Sequence, residues 1–252
     1  MPEFLLAALD TAGLDWLLLA TLVAGIVYGF AGFGAALVFL PVATVFLPPA
    51  VAIAAFSVSA MSSLVTVFPK ALPMVDRKAV TILIVSATVS ASLGIWVLTV
   101  TDVTVIRWVV VAVCAITLCA LIAGWRYELE PSVLSRASVG AAAGFIGGVS
   151  GLTGPIMVLF QLAGRDPIAV TRATTVVFLT TTSLLILPLM YLQGILTVQA
   201  VALGILFLVP YAVGALIGQA LFRPERDRFY RVAAYVIIAV ATVMGLPIWD
   251  TV

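Results

Sequence analysis

Two long stretches without a charged residue constrain this chain more than any other feature. Residues 16–69, between Asp15 and Lys70, give 54 uncharged positions, and residues 173–222, between Arg172 and Arg223, give 50. A membrane-spanning helix needs about 20 apolar residues, so each stretch is long enough for two or more spans. Only 9% of the 252 residues are charged and 64% are hydrophobic, whereas soluble domains carry about 25% charged residues. The sequence therefore predicts an integral membrane protein, and its continuous apolar runs indicate helices rather than alternating strands.

A glycine-rich segment occurs twice in the chain at one spacing. Its glycines pair at a separation of 119 residues: Gly25 with Gly144, Gly29 with Gly148, and Gly32 with Gly151. Such glycines allow two helices to approach closely in lipid, but a cluster that also holds Ser150, Thr153 and Pro155 favours an interrupted helix. An interrupted helix inside a membrane presents N–H groups that a transporter can direct at an anion. We therefore predict helix breaks at both segments, with tight helix crossing without a ligand as the alternative.

The apolar segments divide the chain into two halves. We predict helices at 15–31, 33–46, 50–68, 79–100 and 104–123, and then at 137–149, 154–163, 167–192, 199–222 and 230–246. The segments 137–149 and 154–163 are too short to cross a bilayer alone. The charged stretch 126–136 is predicted to be a cytoplasmic linker between a first repeat, residues 1–125, and a second, residues 137–252.

The positions of Lys and Arg predict the orientation in the membrane. These residues cluster around 70–78, 126–136, 165 and 223–231, and the turns at 101–103 and 193–198 carry none. Because cytoplasmic loops are rich in Lys and Arg, we place the basic loops in the cytoplasm and both termini in the periplasm. The segments 15–49 and 136–165 then each enter and leave the membrane on one side. The predicted fold is an all-α integral membrane protein with two inverted-topology repeats, each a broken-helix hairpin followed by three transmembrane helices.

Three features of the sequence resemble one known family. The paired glycine segments, the stretch Pro167-Ile-Ala-Val-Thr-Arg-Ala-Thr174 and the spacing Gly214-Ala-Leu-Ile-Gly218 are similar to the sulfite exporter TauE/SafE family, also described as sulfonate uptake permeases. The resemblance covers about residues 20–246. It implies transport of a small sulfur-containing anion across the bacterial inner (cytoplasmic) membrane. The family often has a Gly-x-Gly-Gly-Gly core, whereas this chain reads Gly32-Phe-Gly-Ala-Ala36 and Gly151-Leu-Thr-Gly-Pro155, which indicates a divergent member.

The candidate substrate-binding residues form three groups. The first supplies N–H groups and hydroxyls at the predicted breaks: Gly32, Gly34, Ser150, Gly151, Thr153 and Gly154. The second is Arg172, whose guanidinium can bind a sulfonate through two hydrogen bonds; the alternative is that it extends to the lipid headgroups. The third is Ser57 and Thr175, which lie 118 residues apart; the alternative for both is a bond to a carbonyl of their own helix.

The chain lacks residues that several classes of protein function require. The chain has no His, which removes the commonest metal ligand and proton shuttle, and no Asp or Glu lies clearly inside a predicted span, which removes carboxylate relays. A Walker-type loop and a nucleophile–base pair are also missing. We therefore predict no enzyme, no metal, no cofactor and no nucleic-acid partner.

The predicted function is transport of sulfite or an organosulfonate by alternating access, with the anion bound near the midplane at the helix breaks. One repeat would rock against the other. Two alternatives remain: a non-transporting membrane scaffold or partner subunit, and a transporter of a small carboxylate. The sequence leaves open the direction of transport, the coupling ion and the choice between a monomer and a homodimer.

Overall fold

The protein is a helical membrane protein. The computed structural model describes residues 8–124, 132–163, 168–221 and 227–248, and within these ranges it contains helices and no strand. The helices are α1 (Leu14–Ala31), α2 (Ala35–Phe46), α3 (Pro49–Ala60), α4 (Ser63–Thr66), α5 (Phe68–Ala71), a 3-10 turn (Leu72–Met74), α6 (Arg77–Val100), α7 (Val103–Ile122), α8 (Val133–Ser150), α9 (Gly154–Ala163), α10 (Ile168–Leu192), α11 (Val198–Leu221) and α12 (Asp227–Met244). The predicted all-α class is confirmed.

Seven helical segments in the described part of the chain are long and apolar enough to cross a membrane. They are Leu14–Ala31, Pro49–Thr66, Arg77–Val100, Val103–Ile122, Val133–Ser150, Ala169–Leu192 and Val198–Leu221. Two shorter apolar helices, Ala35–Phe46 and Val232–Met244, accompany them. The protein is therefore a multi-pass membrane protein. Residues 126–131 of the predicted linker lie outside the described residues, as do Arg165, Arg223, Arg226 and the two ends of the chain.

The predicted start of α8 was wrong. We expected a helix at 137–149 that is too short to span, but α8 begins at Val133 and has 18 residues. Ser132 and Ser135 form a capping box, in which each side chain accepts a hydrogen bond from the other residue's backbone N–H. Such a cap satisfies backbone groups at a helix start. The nearby charges made these residues resemble a linker.

The predicted helix at 50–68 is interrupted. Between α3 and α4, the N–H groups of Met61 and Ser62 bond to carbonyls three residues earlier, at 3.1 and 3.2 Å, which is 3-10 geometry. The Ser59 and Ser62 hydroxyls also donate to carbonyls three residues earlier, at 2.7 and 2.9 Å. Side-chain bonds of this kind bend helices. The backbone therefore turns irregularly within a span, beside the cavity described below.

Two helix pairs pack backbone to backbone through glycine. In the pair α1–α11, a Cβ at Gly29 would overlap the carbonyl oxygen of Ala215, and in the pair α8–α6 a Cβ at Gly148 would overlap that of Ala91. For the glycine segments, the sequence left a helix break and a close helix crossing as alternatives. Each segment contains both. Each predicted half contributes its first helix to a pair with a helix of the other half, so the halves interlock.

Candidate functional site

Both glycine segments end their helix in the same way. Gly32 follows α1 with φ 79°, and Gly151 follows α8 with φ 76°. This left-handed region is readily adopted only by glycine, which is why glycine commonly ends helices. The N–H of Gly32 donates to the carbonyl of Tyr28 at 2.8 Å, and that of Gly151 to the carbonyl of Gly147 at 2.7 Å. Both predicted breaks are present, and α2 and α9 begin three residues after these glycines.

The first turns of α2 and α9 line one small space, which we call the central cavity. Its volume is about 30 Å³, enough for about two water molecules. The N–H groups of a helix's first turn have no partner within the helix, and Gly34, the N-cap of α2, provides no side-chain cap. Each helix start also carries a partial positive charge. The residues that line the cavity are Tyr28, Gly34, Ala35, Ala36, Leu37, Phe56, Ala60, Ser63, Thr153, Gly154, Pro155, Leu179, Thr180, Ser183 and Tyr211.

Hydroxyl groups from four helices complete the central cavity. The Tyr28 hydroxyl lies 3.1 Å from that of Thr180, and the rings of Tyr28 and Tyr211 are 6.0 Å apart. The buried hydroxyl of Ser63 lies close to the hydroxyls of both tyrosines. The four hydroxyls of Tyr28, Ser63, Thr180 and Tyr211 therefore form one cluster beside the cavity.

The central cavity has hydroxyl groups in a mostly apolar lining, and its described lining residues include no charged side chain. An aromatic cluster adjoins it, in which Phe56 contacts Phe39 and Tyr211 at ring distances of 5.5 and 6.0 Å. The arrangement can therefore offer hydrogen-bond donors and two helix N-termini to an acceptor in an otherwise apolar surrounding.

Five of the nine sequence-predicted residues belong to the breaks and the cavity. Gly34, Thr153 and Gly154 line the central cavity directly. Gly32 and Gly151 form the turns that lead into it. For residues next to a helix break, the position in the sequence was enough to predict that they lie at the site.

Three predicted hydroxyl residues bond to their own helices. Ser57, Ser150 and Thr175 donate to the carbonyls four residues earlier, at 2.9, 2.7 and 2.9 Å. The Ser150 hydroxyl also accepts a 3.4 Å bond from the N–H of Leu152 inside the second break. None of the three is among the described residues that line the central cavity. A direct role in binding stays a prediction for each of them.

Arg172, the ninth predicted residue, belongs to α10, and its side chain contacts the C-terminal end of α1. Its Nη2 donates to the carbonyl of Gly29, where the helix dipole is negative. Its stem covers the first break, because a Cβ at Gly32 would lie 2.8 Å from Arg172 Cγ. Arg172 lines a separate and larger chamber of about 510 Å³ rather than the central cavity.

Five of the cavity residues that carry a hydroxyl group were missing from the predicted set, namely Tyr28, Ser63, Thr180, Ser183 and Tyr211. Tyr28 lies inside the first glycine segment, four residues before the break, and this position was a usable signal. Thr180 and Ser183 belong to the run Thr180-Thr-Thr-Ser183. Because hydroxyls cover several faces of that helix, the sequence did not indicate which of them point inward.

Comparison with known proteins agrees with this picture. The sequence model described as sulfite exporter TauE/SafE matches residues 17–244, a range that contains both breaks and all residues lining the central cavity. No curated protein and no solved structure gives a significant match to the chain. The matching family consists of membrane transporters of sulfite- and sulfonate-type anions rather than enzymes. Since the match extends over nearly all of the spanning helices, the chain belongs to the sulfite exporter TauE/SafE family.

Proposed function

We propose that the protein carries sulfite or a small organosulfonate across the bacterial inner membrane and binds it in the central cavity. One observation carries this proposal: the first turns of two broken helices and several hydroxyl donors line the same space. Partnerless N–H groups and the positive end of the helix dipole favour anions. Sulfite and sulfonate oxygens accept hydrogen bonds, so both match a lining of donors.

Transport requires the central cavity to widen and to open to each side in turn. At about 30 Å³ it holds about two waters, so an anion enters only when the surrounding helices move. The packing favours the pairs α1–α11 and α8–α6 as the moving units, because their backbones interlock through glycine. We infer alternating access by displacement of one pair against the other, which differs from rocking of whole repeats.

The same packing supports the proposed inverted repeats. If each helix is replaced by its counterpart in the other half, the contact α1–α11 becomes α8–α6 and the contact α3–α11 becomes α10–α6. All four contacts occur in the structure. The proposed orientation, with both termini in the periplasm, continues to depend on the basic loops. Thiol labelling of single cysteines placed at residues 102 and 78, in intact and in permeabilised cells, tests that orientation.

Thr153 supplies the first test of the cavity. Thr153→Val keeps the shape of the side chain but removes the hydroxyl, so we expect anion affinity to fall about five- to ten-fold. Sulfite-dependent thermal stabilisation and uptake into proteoliposomes measure this. Thr99→Val is the control, because the Thr99 hydroxyl is exposed and bonds to the Trp96 carbonyl.

The alternative functions give different results in the same assays. A scaffold or partner subunit would show neither uptake nor stabilisation by any anion. A carboxylate carrier would be stabilised by acetate or a similar carboxylate at least as strongly as by sulfite and simple sulfonates. Either result would contradict the proposed substrate class.

The charge of the substrate provides a second test. The cost of transferring an ion into a low-dielectric site grows steeply with its charge, and no lining residue described for the central cavity carries a balancing cation. We expect hydrogensulfite to be carried in preference to the sulfite dianion, so that flux at constant total sulfite falls as the pH rises. Methanesulfonate is the control, because it is a monoanion throughout and its flux should change little. A parallel fall for both anions would contradict the preference for a single charge.

A further inference from the structure

A second small space, which we call the lateral cavity, adjoins the central cavity between α6 and α10. Its volume is about 10 Å³, about the smallest space that can hold a water molecule. Thr153, beside the second helix break, lines both spaces. Thr88 and Thr182 bring two further hydroxyls, and the other described lining residues, such as Ile186 and Leu189, are apolar. The lateral cavity therefore continues the hydroxyl-bearing lining of the central cavity.

One helix, α10, passes from the central cavity to the lateral cavity. Its residues Thr180 and Ser183 line the central cavity. Its residues at 182, 185, 186 and 189 line the lateral cavity, and this spacing places them on one face of the helix. The two spaces therefore follow one another along α10 toward its C-terminal end at Leu192.

The side chain of Gln193 closes the far end of the lateral cavity. Its Nε2 donates to the carbonyl of Ser92 on α6 at 2.9 Å and to the Ser92 hydroxyl at 3.4 Å. Ser92 lies four positions after the lining residue Thr88, and Gln193 lies four positions after the lining residue Leu189. Four positions correspond to about 6 Å along a helix. The bond therefore joins α6 and α10 about one turn beyond the lateral cavity.

Neither helix needs this side-chain bond for its own structure. The backbone ends α10, because Gly194 has φ 73° and the N–H groups of Gly194 and Ile195 donate to α10 carbonyls at 3.0 Å. This is the Schellman arrangement, which satisfies the last carbonyls of a helix. The Ser92 carbonyl lies inside α6, which continues to Val100, so an N–H of that helix already bonds to it. The effect of the Gln193 bond is thus to hold the two helices together.

The Gln193 bond crosses the boundary of a unit that is proposed to move. Within the pair α6–α8 the backbones interlock, because a Cβ at Gly144 would overlap the carbonyl oxygen of Ala87. Against α10, in contrast, α6 leaves the lateral cavity. Displacement of the pair α6–α8 away from α10 would widen that cavity, and it would have to break the bond between Gln193 and Ser92.

We propose that the transported anion passes through the lateral cavity between the central cavity and the C-terminal ends of α6 and α10, and that Gln193 is the gate of this route. This inference rests on the proposed function, because it gives the same substrate a path. The hydroxyls of Thr88 and Thr182 donate to carbonyls of their own helices at 2.8 Å, and a hydroxyl can rotate toward a new acceptor. The Gln193 amide, once released from Ser92, offers two N–H donors to the passing anion.

Removal of the Gln193 amide tests the gate through thiol labelling. Ile186→Cys places a thiol in the lateral cavity, in a chain that also carries Cys119→Ser because Cys119 is exposed. The probe is a methanethiosulfonate reagent with an ethylsulfonate group, which has the anionic group of the proposed substrate. Gln193→Met keeps a long side chain without the amide, and we expect it to raise the labelling rate in nanodiscs about two- to ten-fold, the effect of one side-chain hydrogen bond.

Gln219→Met is the matched control for this variant. The Gln219 side chain donates to the Ala215 carbonyl of its own helix at 3.4 Å, so its loss breaks no bond between α6 and α10, and the labelling rate at residue 186 should not change. Cys114, which is buried and outside the described lining of both cavities, reports general loosening and should stay unlabelled. An unchanged rate in Gln193→Met, no labelling of residue 186 in any variant, or equal labelling of Cys114 would overturn the gate.

Obstruction of the lateral cavity tests the route itself. After Ile186→Cys has been labelled and the reagent removed, uptake of methanesulfonate into proteoliposomes should be lost. The same treatment of a chain with Cys119→Ser alone should leave uptake unchanged. Methanesulfonate is used because sulfite cleaves the disulfide that the reagent forms.

The two proposals fail in different ways. If the wild type transports methanesulfonate and labelling of residue 186 leaves uptake unchanged, the lateral cavity is not the route, and the assignment of the central cavity is unaffected. If the wild type carries no sulfur anion, the proposed function itself is wrong.

Discussion

Tyr28→Phe is expected to lower the affinity for the transported anion about 10- to 100-fold, since a hydrogen bond to a charged group contributes about 1.5–3 kcal/mol. The substitution removes only the hydroxyl that lies 3.1 Å from Thr180 in the central cavity. The ring, which packs 6.0 Å from that of Tyr211, stays in place. Isothermal titration of the purified protein with sulfite measures the change in Kd.

Tyr191→Phe is the matched control for this variant. Tyr191 lies at the end of α10 and is 72% exposed, so the same chemical change there should leave the Kd for sulfite at the wild-type value. Circular dichroism and the melting temperature without anion check that both variants keep the fold. An unchanged Kd in Tyr28→Phe would remove the hydroxyl cluster from the binding site.

Gly29→Ala is expected to cause the largest loss of stability. The added methyl group would overlap the carbonyl oxygen of Ala215, which is backbone and cannot change rotamer. The helices α1 and α11 must separate along their whole crossing, so we expect a loss of about 3 kcal/mol or more, the upper part of the range for overpacking. For a chain of this size each kcal/mol lowers the melting temperature by about 2–4 °C. Thermal unfolding in detergent, followed by size-exclusion chromatography, measures this.

Gly154→Ala provides the control with the same chemical change. Gly154 is the first residue of α9, and a Cβ there would meet its nearest neighbour, Leu179 Cδ1, at 3.8 Å, an ordinary contact. Its melting temperature should remain close to that of the wild type. Equal melting temperatures for the two variants would show that the glycine crossing is not needed for stability.

The sequence predicted the spanning helices and both helix breaks because each depends on local composition. Long uncharged runs require lipid, and the glycines that end α1 and α8 adopt a backbone conformation that other residues avoid. The interruption after α3 was not predictable in this way. It is made by serine hydroxyls that bond to carbonyls of their own helix, and serine makes the same bonds in continuous helices.

The candidate site was predictable only where the position along the chain determines the position in space. Gly34, Thr153 and Gly154 must lie next to a break whatever the packing. Ser57 and Thr175 were different, because the side on which they lie depends on how each helix is rotated about its axis. In a helix that is apolar on all sides the hydrophobic pattern does not reveal that rotation. Tyr28 was missed because the sequence does not show which partner a tyrosine hydroxyl has in an apolar helix.

The interlocking of the two halves has a consequence for the order of synthesis. The ribosome produces α1 early, but its partner α11 is the last but one of the described helices. The glycine face of α1 therefore stays without this partner until α2 to α10 have been synthesised. The pair α6–α8 has a shorter delay, since only α7 and the connecting segment separate its members. We therefore expect the pair α6–α8 to form before the pair α1–α11, and a nascent chain that stops before α11 to leave the glycine face of α1 without the helix that packs against it.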